Sequence, residues 1–162
     1  MPTDVQAHLK DLLHDFDTAM MVTHGPDGAL HGRPMAVAQV EDNGDLWFVT
    51  DRHSGKMHEI GADAHVCVTM QGAGKFISLA GTASPHDDRR KVAEVWNEHM
   101  KVWFPGGKDD PNLVLLKVDA REGEYWDNSG ANAIKYMVKA GRAYLRGERP
   151  SNDDTEHAKV KL

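Results

Sequence analysis

Cysteine is nearly absent from the sequence, and this scarcity excludes two kinds of site. The one cysteine, Cys67, cannot form a disulfide within the chain and cannot supply the thiolate set of a structural zinc site. It lies in the run AHVCVTM, in which apolar residues alternate as they do in a strand. We therefore predict that Cys67 is a small buried residue of the core.

An excess of positive charge is also missing. Lysine and arginine number 19 against 25 aspartates and glutamates, which gives a net charge of -6 at pH 7. Such a chain has no general attraction for nucleic acid or for an anionic membrane surface. No segment approaches the ~20 apolar residues that a membrane span needs. We expect a cytoplasmic protein without a nucleic-acid or membrane partner.

Ten histidines are present, but their spacing does not match a metal motif. His58 and Glu59 are followed by His65 rather than by a histidine four positions after the first. The glycine-rich runs SGK and GGK lack the other residues of a phosphate-binding P-loop. No catalytic triad can be read from local motifs. We predict no metal site and assign no catalytic residue.

The length of 162 residues, 40% of them hydrophobic, suits one core and a single domain over residues 1–162. The polar segment of about 146–162 is predicted to be a loosely ordered tail. Periodicity and turn signals predict helices at 5–15, 55–63, 87–101 and 129–145. They predict strands at 18–24, 29–40, 46–50, 65–71 and 75–84, and a last strand or hairpin at 113–127.

Short strands joined by turns favour a mainly β fold, a six-stranded antiparallel barrel with helical additions. Two runs, LWFVT and LVLLKV, are apolar on both faces. A sheet face turned to water should be polar, so these outer faces are expected to pack on helices or on a second subunit. We prefer a homodimer.

The stretch WFVTDRHSGKMHEI carries the pattern of an anion site. Thr50 ends a strand, Ser54 is placed to cap a short helix, and Lys56 falls in its first turn. A cation there opposes the helix dipole unless an anion lies between them. Arg33, held extended by Pro34 on an otherwise apolar strand, supplies a second cation. These groups suit a phosphate monoester.

A structural interpretation of the same residues stays open on spacing alone. Lys56 and Arg33 could be surface charges that pair with Asp51 and Glu59, and Ser54 could be only a helix cap.

Three blocks of sequence resemble the pyridoxamine 5'-phosphate oxidase-like, FMN-binding split-barrel superfamily. They are VTDRHSGKMHEI, GRPMAV and EYWD, in the order that the superfamily has. WFPGGKDDP and the closing EHAKVKL resemble the general stress protein 26 branch. The resemblance covers nearly the full length.

The resemblance implies a split-barrel homodimer with FMN in clefts at the interface. The cofactor phosphate would lie against Arg33, Ser54 and Lys56, with Thr50 nearby. The flavin ring would lie along the backbone of a short strand segment and beside two strand residues, with tryptophans of the partner chain on its other side. These residues are Pro34, Met35, Ala36, Phe48, Val49, Trp103 and Trp126.

Three departures from the oxidases bear on activity. Gly55 replaces a basic residue, Phe76 replaces a glutamine near the ring, and NSGANAIKYM replaces the run that grips the vitamer substrate. Pyridoxamine phosphate oxidation is therefore not expected. The leading hypothesis is an FMN-dependent oxidoreductase of the general stress protein type that acts on a small acceptor. The alternatives are a non-catalytic flavin carrier or sensor, and a split barrel that binds deazaflavin, haem or another phosphorylated ligand.

Overall fold

The computed structural model describes residues 3–151 and 156–162. The helices are α1 (Asp4–Leu13), α2 (Gly55–Ala62), α3 (Arg89–Val95) and α4 (Gly130–Arg146). Two short 3-10 helices, Glu98–Val102 and Gly107–Asp109, lie between α3 and the last long strand. The strands are β1 (Thr18–His24), β2 (Leu30–Val40), β3 (Leu46–Asp51), β4 (His65–Gly72), β5 (Lys75–His86), β6 (Leu113–Asp127) and β7 (His157–Lys161).

Six strands form a closed antiparallel barrel in the order β3-β2-β1-β4-β5-β6, and β6 pairs with β3 to close it. The predicted six-stranded barrel with helices is confirmed. The long strand β6 closes the barrel because it pairs with β5 along one edge and, through its first half, with β3 along the other. The second half of β6 pairs with β7. Gly81 lies at a bulge between β5 and β6, where a Cβ would be 2.2 Å from the carbonyl oxygen of Asp119, so only glycine fits.

The interior of the barrel is apolar, and α1 and α2 each contribute to it. Leu9 and Leu13 of α1 are fully buried, and Gly123 of β6 leaves the space that the Leu9 side chain fills. Thr3 caps α1 through a reciprocal pair of hydrogen bonds with Gln6. Ile60 of α2 is buried in the same core. α2 therefore packs on the barrel and fixes the position of its own first turn.

The outer face of β3 and β6 is covered by α3 and the loop that follows it. This separate cluster contains Trp47, Val92, Val95, Phe104, Leu113 and Leu115. The expectation that the outer face packs on helices is thus met at LWFVT and LVLLKV. The apolar pattern of these two strands needs no second subunit, so a homodimer must be argued from other surfaces.

Three local expectations differ from the structure. The helix predicted over 87–101 ends at Val95, because Trp96 and Asn97 are extended and Asn97 then caps a 3-10 helix. The predicted tail includes β7, with Val160 buried at its centre, while residues 152–155 lie outside the described residues. Cys67 is half-buried rather than fully buried, with its Sγ 3.6 Å from the hydroxyl of Ser78.

Within residues 3–151 and 156–162, no helix combines the length and the apolar character that a membrane crossing requires.

Candidate anion-binding site

Arg33 lies at one end of the barrel, where β1, β2 and α2 meet. Its strand neighbour in register is Met21, and the residue two positions further along β1 is Thr23. The Arg33 Nη1 donates to the Thr23 hydroxyl at 2.6 Å and to the Met21 carbonyl at 3.4 Å, and Nη2 donates to Glu59 of α2 at 3.0 Å. The guanidinium is largely buried, with 22% of the side chain exposed, and it retains donors that these contacts do not use.

Glu59 is the acceptor at the centre of these contacts. Its Oε2 accepts from Arg33 and from the Thr23 hydroxyl, and its Oε1 lies 2.7 Å from the Nδ1 of His31. An ionised carboxylate only accepts, so Nδ1 of His31 is the donor. The hydrogen bond from Thr23, with those from His31 and Arg33, lowers the pKa of Glu59 to about 2.

Lys56 lies one helical turn before Glu59 on the same face of α2, and its environment is different. Its Nζ donates to the Ser54 hydroxyl at 2.9 Å. Burial lowers the pKa of Lys56, and the positive charge of Arg33 lowers it further, while Asp51 acts in the opposite direction. Among the described residues no carboxylate lies within 4.0 Å of this ammonium. Lys56 is thus a half-buried cation beside a second cation.

The two interpretations of this segment are each met in part. Arg33 pairs with Glu59, as the structural interpretation has it. Lys56 does not make the ion pair with Asp51 that the same interpretation requires within the described residues. Ser54 occupies the cap position of α2, but its side chain makes no capping bond and accepts from Lys56 instead. Among the described residues, the cations therefore form one cluster in which Glu59 alone makes an ion pair, and it pairs with Arg33.

The residues assigned to the flavin ring fall on two sides of the barrel wall. Pro34 and Ala36 are exposed on β2, whereas the side chains of Met35 and Phe48 belong to the core. Only the backbone of Met35 and Phe48 can therefore meet a ligand. Thr50, 5% exposed, is buried at the end of β3, and Val49 packs towards the α3 cluster.

The two tryptophans assigned to the partner chain lie elsewhere on the surface. Trp126 is half-buried on β6 and stacks on His157, with ring centres 5.1 Å apart. It pairs in register with the exposed Phe76 of β5. Trp103 is 78% exposed at the end of a 3-10 helix. The single chain does not bring either tryptophan into the cluster around Arg33.

Sequence reasoning missed the roles of Thr23 and His31. Both belong to the β1–β2 hairpin, and Thr23 is the register partner of His31. A local signal did point to Glu59, because Lys56 and Glu59 are three residues apart and therefore share a helical face. The contacts of Thr23 and His31 with Glu59 depend on how α2 packs on the hairpin, and no local pattern encodes that packing.

Comparison with known proteins finds a matching family model and several relatives. The family model described as pyridoxamine 5'-phosphate oxidase like matches residues 4–151. Protein bli-3 of Neurospora crassa is 35% identical over 112 residues, which is 62% of this chain and 54%, about half, of that protein. General stress protein 26 of Bacillus subtilis is 25% identical over 124 residues, or 74% of this chain and 86% of the relative.

Solved structures agree in fold. A general stress protein 26 from Jannaschia sp. CCS1 superposes with a TM-score of 0.76 at 28% identity, covering 98% of this chain and 99% of the other. The general stress FMN/FAD binding protein of Xanthomonas citri gives a TM-score of 0.67 at 30% identity, covering 79% and 92%.

Proposed function

Because the chain belongs to the pyridoxamine 5'-phosphate oxidase-like family, we propose that it binds FMN with the phosphate between Arg33 and Lys56. The observation that carries this proposal is the half-buried ammonium of Lys56, which lies beside Arg33 without a carboxylate in ion-pair range among the described residues. A buried cation costs free energy unless an anion compensates it. The Xanthomonas citri relative, named for FMN or FAD binding, supports a flavin as the ligand.

A phosphate monoester matches the donors that surround this point. Lys56 and the unused donors of Arg33 supply charge-assisted hydrogen bonds, and the first turn of α2 supplies backbone N–H groups. Ser54 and Gly55 precede Lys56 at the start of α2, and a Cβ at Gly55 would meet nothing within 4 Å. The phosphate could thus approach the helix end closely.

The ring of FMN is proposed to lie along the exposed backbone of Pro34 and Ala36. Completion of its site by a second copy of the chain accounts for the exposure of Trp103 and for the exposed Phe76 beside Trp126. A homodimer with FMN at its interface is therefore part of the proposal. So is a cytoplasmic location.

The chemistry we propose is electron transfer to or from a small acceptor, which FMN supplies when it is bound. The chain binds the phosphate through Arg33 and Lys56 and holds the ring against β2. No side chain is assigned to move a proton. We also propose a role in stress for this chain, which the names of its general stress protein 26 relatives support.

A non-catalytic flavin carrier or sensor is the second candidate. The segment after Trp126 enters α4 through Ser129, and the first turn, Gly130 to Ala133, has no charged residue to grip a substrate. This favours binding without turnover over pyridoxamine phosphate oxidation.

Spectroscopy of the purified protein tests the ligand. We expect a flavin spectrum after purification and tighter binding of FMN than of riboflavin, which lacks the phosphate. Colourless protein that does not bind added FMN would reject both candidates. A haem or deazaflavin spectrum would show that one of those groups, and not FMN, is the ligand. Turnover with a reduced nicotinamide and a panel of acceptors then separates an oxidoreductase from a carrier.

A further inference from the structure

We propose that Glu59, with Thr23 and His31, is a positioning brace that holds Arg33 ready for the phosphate. This inference rests on the proposed function, because it assigns a role to residues that surround the same anion site. A carboxylate beside an anion site is unexpected on charge alone, since it repels the ligand and neutralises part of the attraction. Its geometry supplies a reason for its presence.

The brace begins at the guanidinium. Thr23 accepts from Nη1 of Arg33 at 2.6 Å, and Glu59 accepts from Nη2 at 3.0 Å. The Thr23 hydroxyl also donates to the Oε2 of Glu59, so the three groups form a closed ring of hydrogen bonds. A guanidinium held at two nitrogens loses most of its freedom to rotate.

A second layer fixes the carboxylate. His31 contacts the other oxygen of Glu59 at 2.7 Å. The His31 ring also lies against the β1–β2 turn, where a Cβ at Gly25 would be 2.7 Å from Cε1. Glu59 therefore has hydrogen-bond partners on both oxygens, and its side chain is only 14% exposed.

A brace is needed because Arg33 and Lys56 repel each other. Without a ligand, an unheld arginine would turn towards solvent to separate the two charges. The ordering cost of returning it would then reduce the affinity for FMN. The hydrogen bonds of Glu59 and Thr23 keep Arg33 in place against this repulsion before the ligand arrives.

Two conservative variants separate position from charge. Glu59→Asp keeps the charge but shortens the side chain by about 1.5 Å, one carbon–carbon bond. Glu59→Gln removes the charge but keeps the reach, because its amide oxygen can accept from Arg33 and its NH2 can donate to the other tautomer of His31. Asp63→Asn is the charge control, since Asp63 ends α2 and contacts His24 and His65 rather than Arg33.

The experiment compares FMN with riboflavin for each variant and follows the Arg33 side-chain N–H signal by NMR without ligand. We expect Glu59→Asp to weaken FMN binding about tenfold relative to riboflavin and to broaden the Arg33 signal. Glu59→Gln should retain both the signal and near-original or tighter FMN binding, and Asp63→Asn should change neither.

Each other result overturns one identified proposal. If Glu59→Asp leaves either the Arg33 signal or the FMN affinity unchanged, or if Glu59→Gln weakens binding more than Glu59→Asp, the brace is rejected. If wild-type protein binds FMN no better than riboflavin, the phosphate site is rejected. In that case the ligand-free NMR signal decides only whether Glu59 positions Arg33: its broadening in Glu59→Asp supports the positioning contact, and its persistence rejects that contact too.

Discussion

The anion site at the end of the barrel and the covered face around Trp47 each bring two cations together. At Trp47 the cations are Lys91 and Lys117, which lie 5.1 and 5.8 Å from the ring centre. Lys117 contacts Asp45 and Asp119, each at 3.0 Å, and these hydrogen bonds raise its pKa. Burial and a neighbouring cation lower the pKa of Lys56 instead.

The difference separates a structural cluster from a binding cluster. Lys91 also lies 3.1 and 3.6 Å from two glutamates, so both cations at Trp47 are compensated within the chain. At the barrel end Glu59 pairs with Arg33, and within the described residues no carboxylate makes an ion pair with Lys56. A compensated cation stabilises the fold, whereas an uncompensated one is available to a ligand.

The largest expected change in FMN affinity follows from substitution of Lys56. Lys56→Ala should weaken FMN binding by about tenfold or more, because a charge-assisted bond to the phosphate is lost. The matched control, Lys117→Ala, removes the same charge from the covered face and should leave FMN affinity unchanged. Calorimetric or fluorescence titration measures both. Unchanged affinity in Lys56→Ala would show that the phosphate lies elsewhere.

The stability of the flavin-free protein should depend more on Lys117 than on Lys56, which is the opposite of the order expected for FMN affinity. Lys117→Ala should lower the free energy of unfolding by about 1–2 kcal/mol, because the mostly buried Asp45 loses a charged partner. Lys56→Ala should leave the free energy of unfolding unchanged or raise it, since it removes a desolvated charge. Urea unfolding of flavin-free protein measures both values. If Lys56→Ala destabilised the protein more than Lys117→Ala, the assignment of Lys117 to a structural cluster and of Lys56 to a binding cluster would be wrong.

A cation added beside Lys56 should strengthen FMN binding, whereas the same cation added elsewhere on α2 should not. Gly55→Arg places a side chain in open space at the start of α2 and should tighten FMN binding about fivefold. Gly61→Arg adds the same charge in open space near the other end of the helix and serves as the control. The measurement is the ratio of the two dissociation constants. Equal gains would mean that only net charge matters.

The smallest expected effect is the dependence of FMN affinity on pH. The phosphate favours protonated Lys56, so FMN affinity should fall about twofold or more as rising pH passes the lowered pKa of that lysine. Lys56→Arg keeps its charge and should lose this dependence. Titrations of the two proteins over the same alkaline range cancel the ionisation of the flavin itself. Parallel curves would exclude Lys56 as the group responsible.

Most of the barrel could be predicted because its strands are short, alternate clearly and end at turn residues. β1 begins and ends at the predicted residues, and β3 and β4 differ by one residue. β7 was missed because its run HAKVK is short, lies in a polar segment and buries only Val160. Its strand conformation depends on pairing with β6, which no local pattern encodes.

The candidate site was predictable only in its cations. Arg33 and Lys56 could be selected because each is unusual in its local context, one in an apolar strand and one at a helix start. The brace could not be assembled, since Thr23, His31 and Glu59 come from three elements whose approach depends on barrel closure.

The sequence by itself determined the alternation that forms the strands, the helix start at Ser54, and two cations in unusual local settings, Lys56 at that helix start and Arg33 in an apolar strand. Each of these features is set by neighbouring residues. The tertiary structure alone decided which cation meets a carboxylate. Arg33 obtained Glu59 because β2 and α2 meet at the barrel end, while Lys56, one turn earlier on the same helix, has no carboxylate in range among the described residues. Ion pairing acts over a few ångströms in space, and sequence distance does not fix that separation.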